Sequence, residues 1–166
     1  MAYEAKSAVY ALNSFTWKLL EKNLGWTTYQ GVTPIIPTSQ QPELMQSGKP
    51  FIVYGSAFQP PGHLYALNTE SIAYTVYGTS VTEVNKIAQL LWDVFKQQDD
   101  AAAMVNNWLS KEVATRGSHR GVYFGTVRAT MIDKAEPADE EGGFVSALIM
   151  LETRYTADTP DIITAF

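Results

Sequence analysis

The chain has no cysteine. Disulfides, zinc–thiolate sites and thiol catalysis are therefore excluded, and either redox compartment suits the chain. Histidine is scarce: His63 and His119 are the only two, and neither sits in an H-E-x-x-H or other ligand spacing. His63 follows Pro61-Gly62 and reads as a solvated loop residue, while His119 lies in the basic stretch "TRGSHRG". No apolar run approaches the ~18 residues of a membrane span. Met1 to Ser7 has no apolar stretch followed by a small-residue cleavage site. The expectation is a soluble protein made in the cytoplasm without export. Positive charge is also short: 12 Lys and Arg stand against 17 Asp and Glu, a formal net charge of -5. Such a chain does not grip nucleic acid through its whole surface, because phosphate contacts need clustered cations. A protein that DNA passes without being held remains compatible with it.

Reactive motifs are missing as well. There is no G-x-S-x-G and no G-x-G-x-x-G. "SGKP" at Ser47 to Pro50 matches the end of a Walker motif only superficially, since the first glycine is absent and Pro50 stands where a magnesium-binding hydroxyl belongs. Gly117-Ser118-His119 places a serine beside a histidine, but adjacent side chains rarely point at each other as proton transfer requires. No catalytic residue, cofactor site or metal site is expected.

What the sequence does contain is apolar and aromatic material: 46% hydrophobic residues, 12% aromatic, nine Tyr and four Trp. That is enough for a real core in one domain spanning 1–166. A helix is expected from about Glu4 to Leu24, closed by Gly25. Ala8, Val9, Leu12, Phe15, Leu19 and Leu20 form its apolar stripe. Tyr10, Trp17 and Leu24 form a second seam on another side, to be covered by another subunit or by the chain's own loops. The stretch 31–50 holds Pro34, Pro37, Pro42 and Pro50, so it reads as a long loop or short edge segment.

Strand patterns follow at Phe51 to Phe58 and Thr69 to Tyr77, joined by a turn around Pro60-Pro61-Gly62. Then "YTVYGTSVTEV" raises a question, because a strand, a glycine and a helix start also make phosphate loops. Ser80-Val81-Thr82-Glu83 has the form of a capping box, and one glycine without a spaced lysine makes a corner, not a site. Behind it, Val84, Ile87, Ala88, Leu91, Val94 and Phe95 define an amphipathic helix to about Gln98. A shorter helix is expected over Ala101 to Lys111 with Met104, Val105, Trp108 and Leu109 inward, then strands at Gly121 to Ile132 and Phe144 to Tyr155. Residues 156–166 read as a tail with Pro160 and an apolar end. Neighbouring strands pair by default. The order therefore implies an α+β two-layer sandwich: an antiparallel sheet of about four strands with helices packed on one face.

Two charged clusters stand out. The tip at 133–143, "DKAEPADEEGG", carries Asp133, Glu136, Asp139, Glu140 and Glu141 against Lys134. It reads as a solvated hairpin tip, or in an oligomer as the lining of a lumen that repels DNA; its spacing is not that of a calcium loop. Arg116, Arg120 and Lys111 form a small basic patch, serving solubility or a contact to the next subunit.

Together the hairpin "KPFIVYGSAF…NTESIAYTVYG", the capped helix "TSVTEVNKIAQLLWDVF" and the pair "GVYFGTVRATMI…FVSALIMLETRYTAD" resemble the tail terminator (tail completion, neck) proteins of tailed bacteriophages. The resemblance covers roughly Ala5 to Ala157 and is one of architecture, without an invariant chemical signature. It implies a structural virion protein rather than an enzyme: a ring of about six copies that ends tail-tube growth and joins the tail to the head–tail connector, letting DNA pass. Its partners are then other copies, the tube protein and the connector, with no membrane and no sequence-specific DNA contact. It would be assembled in the host cytoplasm and reside in the virion neck. Under that reading the surfaces offered to neighbours are Tyr10, Trp17 and Leu24, Arg116 and Arg120, and Ile162, Ile163 and Phe166. The long loop and the extra short helix depart from the usual plan. The alternatives are a head–tail adaptor or head-completion protein, a tail tube protein, and a small ligand-binding module or enzyme on the same fold.

Overall fold

A computed structural model describes residues 7–37, 47–59, 68–96, 99–112, 122–136 and 143–157. The first helix, α1, is Ala8–Leu24. It starts later than the periodicity suggests. Ser7 has extended backbone (φ -144°) and its Oγ accepts from the Val9 N–H, which fixes the N-terminus there. Gly25 closes the helix in the left-handed region at φ 67°, as its lack of a Cβ permits.

A two-residue strand β1 (Ile35–Ile36) lies in the proline-rich stretch. It is followed by β2 (Phe51–Gln59) and β3 (Asn68–Gly78). Helix α2 (Val81–Phe95) starts at Ser80, whose Oγ accepts from the Glu83 N–H at 3.3 Å. The corner before it is a packing device. A Cβ on Gly78 would meet Val84 Cγ2 at 2.8 Å and Pro50 Cβ at 3.5 Å, so only glycine lets the helix fold back this tightly. Helix α3 (Asp99–Glu112) is longer than expected. Val105 and Leu109 are buried in it, but Met104 is 39% exposed and does not point inward. Strands β4 (Val122–Asp133) and β5 (Val145–Ala157) complete the chain.

Among the described residues the sheet has five strands in the order β1-β2-β3-β5-β4. All pairs are antiparallel except β1 with β2, where Ile35 faces Ile52 and Ile36 faces Val53 in parallel. The α+β two-layer architecture therefore stands, with one short parallel strand added to the expected four. α1, α2 and α3 cover one face. Leu12, Phe15 and Leu20 of α1, Ile87, Leu91 and Phe95 of α2, and Val105 and Leu109 of α3 pack with Ile72, Tyr74, Val76, Ile149 and Leu151 of the sheet in one core. Phe15 sits edge-on to both Phe95 and Trp108, which ties the three helices together.

Two buried polar links join helix layer to sheet. Glu70 of β3 is 3% exposed, and its carboxylate accepts from the Val9 N–H at 2.8 Å, from Ser7 Oγ at 3.1 Å and from Tyr155 Oη at 3.4 Å. Its charge rests on the N-terminus of α1, where free N–H groups and the helix dipole stabilise an anion. Tyr74, fully buried, donates to Asn13 Oδ1 at 2.8 Å.

Candidate functional site

Among the described residues the helices all pack on one face of the sheet, and none covers the opposite face. A second small cluster shields only one end of it: Ile36 and Phe51 are buried under Tyr29, Val32, Val53, Tyr77 and Phe144. Phe51 stacks on Tyr77 at 5.4 Å. Beyond that cluster the strand register lines up Gly55, Ala73, Met150 and Met131 as one row across the sheet. Met131 is 41% exposed, and Tyr123 near the end of the same face is 64% exposed. Leu148 and Met150 are half-buried. Ala73, Met150 and Met131 thus make a short apolar strip on this face, and Arg128, paired with Glu152 at 3.8 Å, stands between that strip and Tyr123.

The two sheet edges differ. β4 is blunted. Asn106 of α3 reaches over to its outer edge, where Nδ2 donates to the Phe124 carbonyl and Oδ1 accepts from the Phe124 N–H, both at 2.8 Å. Register shifts at Phe124/Thr126 and Ala129/Met131 break the edge further. Both devices stop a foreign strand from pairing. At the other end β1 pairs only Ile52 and Val53, so among the described residues β2 has no outer partner from Tyr54 onward. Gly55, Ser56 and Ala57 are exposed there.

Of the expected interface seam, only Tyr10 is open to solvent, at 50% exposure. It lies near half-buried Tyr54, whose phenol is pushed up by burial first and by Tyr10 second. Trp17 and Leu24 pack partly against the chain's own core, so the cover for those two is at least half intramolecular. Arg116 and Arg120, the tail residues Ile162, Ile163 and Phe166, and both histidines lie outside the described residues, as do Asp139, Glu140 and Glu141. Lys111 is exposed in the last turn of α3.

Asp133 and Glu136 are exposed at the base of the acidic tip. That base is held in place. Asn85 of α2 donates to the Ala135 carbonyl at 3.0 Å and accepts from its N–H at 2.8 Å. Among the described residues no group of three or more His, Asp or Glu is placed to hold a metal ion. No described helix is long and apolar enough to cross a membrane.

Sequence reasoning missed Tyr123, Met131 and Met150 as a surface. Two register shifts in β4 break the alternation that would have placed them, so its sequence carries no signal for this surface. No family model matches the chain, and no curated protein matches it.

Proposed function

We propose that this chain is a structural virion protein, a ring-forming tail terminator that caps a phage tail tube and joins it to the head–tail connector while DNA passes through. The observation that carries the reading is the one-sided sandwich. Among the described residues, three helices bury one sheet face, the other keeps Met131 and Tyr123 exposed, and β2 has no outer partner beyond Val53. A blunted edge at one end and an open one at the other suit a heterologous contact. Such a contact uses different patches on successive copies and closes into a ring when its rotation allows. The exposed carboxylates at the base of the 133–143 tip supply negative charge for a lumen, where repulsion keeps DNA from sticking. A tube protein would close the same way and then stack ring on ring, whereas a terminator stops at one ring, so axial stacking separates the two readings.

The test is addition of the purified chain to polymerising tail tubes. Binding at tube tips with arrest of elongation is the expected result. Co-polymerisation along the tube would instead support the tube-protein reading, and no association with tubes or connectors would sink both.

A further inference from the structure

A cavity of about 330 Å³ opens behind the corner between β3 and α2. Leu24 and Trp26, from the end of α1 and the residues after it, form an apolar wall with Pro34, Pro50 and Ile87, while Thr27, Tyr29 and Ser47 add polar atoms. Its charged groups among the described residues are Lys49, Lys86 and Glu83. Both lysines are exposed, and neither has an ion-pair partner among the described residues. The size falls at the lower end of the range for sites that take a ligand or a few side chains. The occupant that fits has a carboxylate for the lysines beside bulky apolar groups for the wall.

Residues 158–166, "DTPDIITAF", have that chemistry: two aspartates, no cation, then Ile162, Ile163 and Phe166. They lie outside the described residues and follow directly on Ala157, the last residue of β5. Their own cavity is out of reach. It borders Pro50, which lies against Gly78, and Gly78 pairs with Val145 at the opposite end of β5. The 13 residues of β5 put Ala157 about 40 Å from that end. Nine further residues span at most ~30 Å even when fully extended.

We propose that the cavity is the socket for residues 158–166 of a second copy, with Asp161 at Lys49 and Lys86 and with Ile162, Ile163 and Phe166 on the wall of Trp26, Leu24 and Pro50. The inference rests on the reading that copies of this chain assemble, and it names the contact. Tail and cavity are different patches, so in a ring the contact is heterologous and passes from each copy to the next.

The absence of native cysteine makes the test clean. Ser47→Cys and Ile163→Cys full-length chains are mixed and oxidised, and disulfide-linked species are read on non-reducing gels. The expected result is a two-chain product at least tenfold above that from Ile163→Cys mixed with Ser71→Cys, which lies on the sheet away from the cavity. Lys49→Glu with Lys86→Glu lowers that yield at least tenfold. The double variant Ser47→Cys, Ile163→Cys forms ladders of linked chains. Yields equal to the Ser71→Cys control, or a yield that survives charge reversal, would overturn the proposal. So would an intrachain link in the double variant, or displacement by inorganic phosphate alone without any chain-to-chain link. Native mass separates this idea from the ring itself: rings without the cross-link refute the socket alone, and linked open chains without rings refute the ring alone.

Discussion

Glu70 shows how much one side chain determines. It is a buried carboxylate with no cation beside it among the described residues, stabilised by the N–H of Val9 and the hydroxyls of Ser7 and Tyr155. Glu70→Ala leaves those donors unsatisfied and detaches the start of α1 from the sheet. The expected loss is about 2–4 kcal/mol in urea unfolding, against about 1 kcal/mol or less for an exposed acid such as Glu136→Ala. Equal losses would show that the lock carries no energy. Tyr155 answers to pH. Burial first, and the charge of Glu70 second, push its phenol up to about 12, and burial pushes Tyr74 up as well. A phenol raised in the folded state contributes stability that is complete below the unfolded value of ~10 and is lost as pH rises through the folded one. Stability should therefore fall between about pH 10 and 12, and Tyr155→Phe should flatten that fall while costing about 1–2 kcal/mol at neutral pH. An equally steep alkaline limb in the variant would rule this out.

At the scale of elements, local signals carried the reading a long way. The Ser80 cap, the Gly25 stop and the period of α2 are short-range, and each lies within a residue or two of its expected place. Three things were not local. Strand β5 inserts between β3 and β4, which depends on long-range pairing. β1 is too short to carry a pattern of its own. In β4, strict alternation from Tyr123 would send Arg128 inward and Val127 outward. The shift at Phe124/Thr126 reverses this, burying Val127 and letting Arg128 meet Glu152 at 3.8 Å on the open face. The second shift turns Met131 outward again. A bulge leaves no mark in hydropathy, so the surface could not be read in advance. The same strand supplies an element-scale prediction. Asn106→Leu removes both bonds to Phe124 and uncovers the edge of β4. It should cost about 1–3 kcal/mol and yield larger, concentration-dependent species by light scattering. A variant that loses stability without associating would show that Asn106 holds α3 and does not guard the edge.

For the whole molecule, the fold is an α+β sandwich whose described helices cover one face of the sheet. Apolar residues on the open face cost solubility unless something covers them. Under the proposed ring, the chain's net charge of -5 would keep DNA from adhering to it. Met131→Asp and Tyr10→Asp change exposed positions, so each should shift monomer stability by roughly 0.5 kcal/mol or less. The one that lies in the ring contact should lower assembly by at least tenfold. Trp17→Asp is a poorer probe, because Trp17 packs on the core and its loss would destabilise the monomer. The most direct measurement is the native mass of the purified chain by light scattering, with negative-stain images of the same peak. From a chain of 18.4 kDa, single closed rings of about six copies and about 110 kDa are expected. Tubes that lengthen with concentration, or a monomer that never closes into rings even when mixed with tail tubes, would contradict the ring.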